Sequence, residues 1–361
     1  MANKTCVSLL SGGLDSLLVL RLMAMRGIRV IAMHSVNCFH GTQKIEEKKK
    51  HLARTALELG AEEIVFPDCT EDVVELTRHP RHGYGKHLNA CIDCRLGTVR
   101  AGFDLMAERG ADFVVTGEVV GQRPMSQRRD AIQLADRAVA EWGYPGLLLR
   151  PLCARLLAPT VPQREGWVAD DSLFDFSGRG REGQMALAEK IGLGVYPTPA
   201  GGCLLTDPGF SQRLAVLVRY TPEWGANDVE MLKAGRPFQI TGGARLIASR
   251  NERENYRLRD LSRADDYFYI NSQRNGAIVL LRGEKTPEAE RMAAGLAVYY
   301  SKMRNDGGAD VERWRVENGA DVDQAVFHAR CVDPERVREM ELALTGGNSL
   351  AVMRTAARKR S

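Results

Sequence analysis

Short apolar runs alternate with amphipathic stretches through the first 150 residues. Cys6-Val7-Ser8-Leu9-Leu10 predicts a buried strand, and residues 17–25, dense in Leu and Met, predict the helix that follows. Arg29-Val30-Ile31-Ala32-Met33 predicts a second strand. Residues 44–60 place Ile45, Leu52, Ala56 and Leu59 on one side of a charged helix. Glu63-Ile64-Val65-Phe66 predicts a third strand, residues 94–109 a helix closed by Gly110, and residues 112–117 and 146–150 a fourth and a fifth strand. Strands alternating with helices imply right-handed crossovers and an α/β fold with a parallel sheet covered on both faces. Ligands of such sheets sit at the carboxyl ends of the strands.

The texture then changes. Residues 151–199 are irregular, with a helix expected only over 182–191 and with Trp167, Phe174 and Phe176 to bury. Residues 210–233 predict helix with a break near Thr221-Pro222. Phe238-Gln239-Ile240 and Ala244-Arg245-Leu246-Ile247-Ala248 flank Thr241-Gly242-Gly243, a hairpin signal. A polar helix over 251–261, strands over 266–270 and 277–281, and a helix opened by Thr286-Pro287-Glu288 complete a smaller α+β domain. The expected organisation is residues 1–150 as the parallel-sheet domain and 151–235 as an extension of it. Residues 236–316 form the C-terminal domain, and 317–361 a charged tail without a clear fold.

At 361 residues the chain is too long for one compact unit. Its net charge of +4 tolerates a polyanionic partner without demanding one. No apolar stretch reaches the roughly 20 residues that span a bilayer, and the first residues lead straight into a strand, so no membrane role is expected and the cytoplasm is the default. Eight cysteines scattered through a core-rich chain suit a reducing compartment. Cys6, Cys69, Cys153 and Cys331 are expected to be small buried hydrophobes.

Two features carry chemistry. Ser11-Gly12-Gly13-Leu14-Asp15-Ser16 joins the first strand to the first helix, where glycines admit a close phosphate and the helix start adds partial positive charge. The Lys-Ser/Thr of an ordinary P-loop is absent. Cys91-Ile92-Asp93-Cys94 opens a helix, and Cys203 follows Gly201-Gly202. A helix N-terminus is expected to lower a thiol pKa. Three such thiols suit a cubane iron–sulfur cluster with one open iron, a zinc ion with an open position, or persulfide chemistry completed by thiol–disulfide exchange. His79, His82, His87 and Lys86 precede them in a glycine-containing loop expected to fold over substrate.

The glycine loop resembles the SGGxDS loop of the ATP pyrophosphatase (PP-loop) superfamily. With Cys91-Ile92-Asp93-Cys94-Arg95, Thr116-Gly117-Glu118, Pro124-Met125-Ser126-Gln127 and Gly202-Cys203 in that order, residues 1–210 resemble the tRNA 2-thiouridine synthetases. The resemblance implies ATP phosphates and Mg2+ held by Ser11, Gly12, Gly13, Asp15 and Ser16, Met33 and His34 beside the adenine, and Gly117 and Gln127 as further cofactor-binding residues. It implies sulfur handling by Cys94 and Cys203, and Cys91 adds a likeness to the branch in which three cysteines hold a [4Fe–4S] cluster. The implied reaction is ATP-dependent thiolation of a tRNA base, fed by sulfide, a cysteine desulfurase or a sulfur-carrier protein. A small-molecule acceptor and a non-catalytic RNA-binding adaptor are the alternatives. Residues 238–304 resemble the NFACT-R (DUF814-type) domain, thought to bind RNA, through Ser249-Arg250-Asn251, Asp266-Tyr267-Phe268 and the block from Ala293 to Lys302. Tyr267 and Tyr269 stand where that family often has Trp and His, and are open to base stacking or to core packing.

Overall fold

The computed structural model describes residues 4–41, 45–194, 202–221, 223–239 and 243–345. Two compact units divide the chain between Cys203 and Leu204. Lys44, Gly201, Pro222, the hairpin residues Thr241 and Gly242, and the chain beyond 345 lie outside the described residues.

The first unit contains β1 (Thr5–Leu9), α1 (Leu14–Met25), β2 (Arg29–Met33), α2 (Ile45–Glu58), β3 (Glu63–Val65) and α3 (Thr70–Arg78). It continues with α4 (Cys91–Arg109), β4 (Phe113–Thr116), α5 (Arg129–Glu141), β5 (Leu148–Leu149), the single turn α6 (Val161–Arg164) and α7 (Glu182–Lys190). Its five strands run parallel in the order β3-β2-β1-β4-β5. In this register Leu9 pairs with both Met33 and Thr116, so the strand ends carrying Ser11, His34 and Gly117 finish level on one edge. The strand order reverses between β2 and β4 around β1, the place where open α/β sheets bind ligands.

Helices cover both sheet faces. Leu17, Leu18, Leu20 and Met23 of α1 pack with Cys6, Val30 and Val115 on one side. Val99, Phe103 and Met106 of α4 pack with Val7, Leu9 and Val114 on the other. Because α1 is surrounded by core, it is apolar on nearly every side, as a fully buried helix must be. Two helices were not anticipated: α3 offers only Val73, Val74 and Thr77 as a buried stripe, and the buried face of α5 is half alanine. Neither produces a strong apolar contrast along the chain.

The second unit holds α8 (Pro208–Tyr220), α9 (Ala226–Lys233), β6 (Arg236–Gln239), β7 (Arg245–Ala248), α10 (Glu252–Leu261), β8 (Tyr267–Asn271) and β9 (Val279–Arg282). It ends with α11 (Pro287–Tyr299), β10 (Gly308–Glu317), β11 (Ala320–Arg330) and α12 (Pro334–Thr345). Its antiparallel sheet has the order β11-β10-β8-β9-β7-β6. The alanine-rich α11 packs on Tyr269, Val279, Leu281 and Val311, while residues of α9 and α10 meet Phe268, Leu280 and Trp314 across the sheet. Tyr269 is fully buried, so of its two expected roles the core one holds. Tyr267 is half-exposed, donates to Asp323 and lies under the Arg313 guanidinium.

The expectation of no fold beyond 317 is corrected. β10 and β11 form a long hairpin closed by Asn318-Gly319, both with positive φ (51° and 80°), the geometry of a two-residue type I′ turn. β11 is an exposed edge strand, so it lacks the alternation that marks a half-buried one.

One glycine sets how closely α4 approaches the sheet: a Cβ on Gly102 would stand 2.7 Å from Leu9 Cδ2. Gly102→Val is expected to destabilise the protein by about 1–3 kcal/mol through overpacking. Urea unfolding would measure this; an unchanged midpoint would mean the contact relaxes freely.

Candidate active site

The loop after β1 is locked by its own serines. Gly12 takes a φ of +83°, a conformation suited to glycine, and Gly13 is the extended N-cap of α1. The Ser16 hydroxyl donates to Gly13 O (2.8 Å) and accepts from Ser11 N (3.2 Å), while Gly13 N donates to Ser11 Oγ (3.3 Å). Ser16 is therefore buried and structural, and Ser11 and the glycines form the open side. Gly117 meets this turn from β4: a Cβ there would fall 2.6–2.7 Å from Asp15 C, Asp15 O and Ser16 N.

Asp15 sits in the first turn of α1. Its Oδ2 accepts from Gln122 Nε2 at 2.6 Å, and its Oδ1 is buried with no partner. An orphaned carboxylate oxygen beside an anion-binding loop fits the Mg2+ that accompanies ATP, since hard cations take oxygen ligands. Gln127 is buried at the other end of the same turn: its carbonyl accepts from Gly121 N (2.7 Å), and its Oε1 has no partner.

At the end of β2 the two expected adenine neighbours part ways. The Met33 side chain is 1% exposed and belongs to the α4-side core, so only its backbone reaches the edge. His34 donates from Nδ1 to Leu10 O (2.7 Å) and stands near His40 and Phe66, with ring centroids 6.1 and 6.0 Å away. Burial lowers its pKa against the pull of the Leu10 bond, and Lys48 and Lys49 lower it further. The ring is neutral at pH 7.

Both cysteines of the CxxC lie in the first turn of α4, whose N-cap is Ala90. Asn89 Nδ2 donates to Cys91 Sγ at 3.1 Å. Cys203 and Cys91 stand close enough to Cys94 that their charges act on it, and Cys69 does so from the start of α3. The helix-start expectation fails for Cys94: burial, reinforced by these neighbouring thiols, pushes its pKa up to about 12. Arg95 opposes this and loses. Cys6 and Cys153 are fully buried as expected, whereas Cys69 and Cys331 are only partly covered. Among the described residues no three His, Cys, Asp or Glu side chains are arranged to hold a metal ion. The donor chemistry of three neighbouring thiols suits a soft metal or an iron–sulfur cluster, but their arrangement is not that of a closed ligand set.

Behind the cysteines runs a buried ion chain that the sequence did not reveal. Arg95 bonds Thr116 Oγ1 and Glu118 Oε1 (2.7 Å), Arg150 bonds Glu118 Oε2 (2.9 Å), and Arg150 reaches Asp136 (2.7 Å). Burial pushes the Glu118 pKa up, but the two guanidiniums outweigh it and hold the carboxyl below the usual range. The histidine loop does not converge on the thiols: His82 bonds both oxygens of Asp93, at 2.9 and 3.1 Å, and His79 lies out near Glu75.

Comparison with known proteins agrees with the motifs. Residues 1–154 match the family model described as thiamine biosynthesis protein (ThiI), and residues 235–334 match the NFACT protein RNA binding domain. The N-terminal unit thus has the sequence pattern of the PP-loop sulfurtransferases and the C-terminal unit that of an RNA-binding module. A probable tRNA sulfurtransferase of Methanothermobacter thermautotrophicus is 31% identical over 116 residues, 32% of this chain and 29% of the relative. The chain therefore spans under a third of that protein's length. Among solved structures, a 4-thiouridine synthetase–RNA complex with bound ATP is 21% identical, covering 52% of this chain and 41% of its own at a TM-score of 0.37. The U34-tRNA thiolase NcsA of Methanococcus maripaludis, with its [4Fe–4S] cluster, is 16% identical, covering 55% and 61% at 0.28. The C-terminal part of the Streptococcus suis fibronectin/fibrinogen-binding protein is 14% identical, covering 44% and 76% at 0.26. No helix among the described residues is long and apolar enough to cross a membrane.

Two outcomes test this geometry. The alkylation rate of Cys94 by iodoacetamide, followed by peptide mass spectrometry, should keep rising with pH well beyond 9, because the thiol ionises near 12. A plateau at or below pH 9 would contradict the burial. Gly117→Ala should cost roughly 1–3 kcal/mol and weaken ATP binding, since the new methyl meets backbone that cannot swing aside. Calorimetric titration with ATP checks it, and unchanged affinity would count against the close approach.

Proposed function

We propose that this chain is an ATP-dependent tRNA sulfurtransferase. The single observation that carries the proposal is that Cys91 and Cys203 both stand near Cys94, beside Arg95, whose partners Thr116 and Glu118 flank the glycine that touches the ATP loop. The sulfurtransferase relative and the family match over residues 1–154 support the chemistry, and the RNA-binding-domain match over residues 235–334 supports tRNA as the partner.

In this reading a base carbonyl oxygen attacks the α-phosphorus of ATP and pyrophosphate leaves. Sulfur then attacks the activated carbon, and AMP departs with the former carbonyl oxygen. The loop amides at Gly12 and Gly13 and the start of α1 hold the phosphates. Asp15, with Oδ1 unpartnered, would hold the Mg2+ that accompanies ATP, and neutral His34 packs at the edge without drawing charge from the nucleotide. Cys91, Cys94 and Cys203 would be the thiols to hold a [4Fe–4S] cluster, which would supply sulfide-binding chemistry there; zinc and a cysteine persulfide are the other uses of the same thiols. Because Cys94 is protonated when unliganded, loading the site must release its proton. The sulfur comes from sulfide, a cysteine desulfurase or a carrier protein.

Anaerobically purified protein should contain iron and acid-labile sulfide, and with ATP, sulfide and tRNA should yield a thionucleoside detectable by mass spectrometry. Cys94→Ser and Cys203→Ser should each lower thiolation at least about 100-fold, the scale of losing a residue that acts with others as a unit. Both should leave tRNA-stimulated pyrophosphate release largely intact. Thiolation that survives both substitutions would refute the assignment.

A further inference from the structure

The Asp15 carboxylate is held by more than its own loop. A carboxylate only accepts hydrogen bonds, so the group Gln122 presents to Asp15 Oδ2 at 2.6 Å must be its amide Nε2. That choice fixes the rest of the amide: its Oε1 points away and needs a donor. The donor is Gln184 Nε2, at 3.0 Å, from the first turns of α7. Gln122 is 9% exposed and Gln184 2%, so water does not substitute freely for either bond. The two amides form a one-way chain of dipoles that ends on Asp15. It satisfies Oδ2 and leaves Oδ1, buried and unpartnered, as the open acceptor.

The chain links distant parts of the sequence. Gln184 lies outside residues 1–154, the stretch that matches the sulfurtransferase family model. Leu187 and Ala188 of α7 pack into the same core as Leu17 and Leu18 of α1, which seats Gln184 against the site from outside the sheet.

We propose that Gln184 is a positioning residue for the nucleotide-bound divalent cation: acting through Gln122, it holds Asp15 with Oδ1 free to receive the metal. The inference rests on the ATP-binding part of the function proposed above. Reversal of the Gln122 amide would set its Oε1 against Asp15, two acceptors face to face, and the Gln184 donor prevents that reversal.

The direction of the relay gives a test that a packing role would not pass. In Gln184→Glu, assayed at a pH that ionises the new buried carboxyl, an acceptor replaces the donor, attracts Gln122 Nε2 and turns the amide around. In Gln184→Leu the donor is lost, volume is nearly kept, and nothing drives the reversal. Mn2+ binding to the full-length protein is followed by electron paramagnetic resonance with α,β-methylene ATP, and nucleotide binding is followed separately in EDTA. Gln184→Glu should weaken Mn2+ binding about tenfold and Gln184→Leu about threefold, the scale of one charge-assisted hydrogen bond. Affinity for the nucleotide in EDTA should stay unchanged for both. Two variants that bind Mn2+ within a factor of two of the unsubstituted protein, with native near-UV dichroism, would overturn the relay alone. So would Gln184→Glu binding no more weakly than Gln184→Leu. If Gln184→Glu does not fold, Gln184→Leu decides by its own ratio. No Mn2+-dependent nucleotide binding by the unsubstituted protein would overturn the ATP-site reading together with the relay.

Discussion

Everything at the active edge depends on one missing side chain. With no Cβ at Gly117, the end of β4 lies directly on the backbone of Asp15 and Ser16, closer than any other residue permits. That contact joins the phosphate loop to the end of β4, where Thr116 and Glu118 flank the glycine. Through those two residues it joins the loop to Arg95 and so to the turn that holds Cys91 and Cys94. The level register of β1, β2 and β4 makes the meeting possible, because each strand stops at the same height. The glycine loop and the turn that holds Cys91 and Cys94 are thus mechanically one site, although they lie far apart in the chain.

Charge fixes this arrangement where packing alone would leave it loose. Glu118 is buried between Arg95 and Arg150, and a buried ion set of this kind is costly to desolvate. It need not add net stability. Its consequence is directional: a bond to the residue after Cys94 sets the helix start against β4, and removing either partner would leave a stranded charge. The second unit uses the same device for a different end, with Arg282 clamped by Asp266 at 2.6 Å beside Asp228. There the ions knit strands to α9.

The parallel sheet was legible because its strands are short, apolar and buried on both faces, and the loop because its glycines and serines stand next to each other in the chain. What stayed hidden was long-range or weakly patterned. The α3 and α5 stripes were too short or too rich in alanine to contrast with their surroundings. β11 is polar because it is an edge strand, although Asn318-Gly319 carried a hairpin signal that was passed over. Glu118, Gln122 and Gln184 became functional candidates only once the fold joined them, since one amide or carboxylate in a loop has no local pattern. Met33 illustrates the opposite error: adjacency to a strand end does not say to which side a side chain points, and its own points into the core.

The thiol at Cys94 shows how position and environment can disagree. A helix start favours the thiolate, and Arg95 favours it too, yet burial among Cys203, Cys91 and Cys69 keeps the proton on. Between the ordinary thiol pKa near 9 and the raised value near 12, the folded state holds a proton that the unfolded chain has shed, so this burial favours the fold below that window and ceases to do so above it. At neutral pH an unliganded Cys94 is therefore a poor nucleophile and a quiet structural group. Sulfur chemistry there requires something that trades places with the proton: a metal, a cluster, or an incoming sulfur atom. Because such a ligand takes the place of the Cys94 proton, its binding should strengthen as the pH rises. The glycine loop differs: Asp15 keeps one buried oxygen, Oδ1, without a partner.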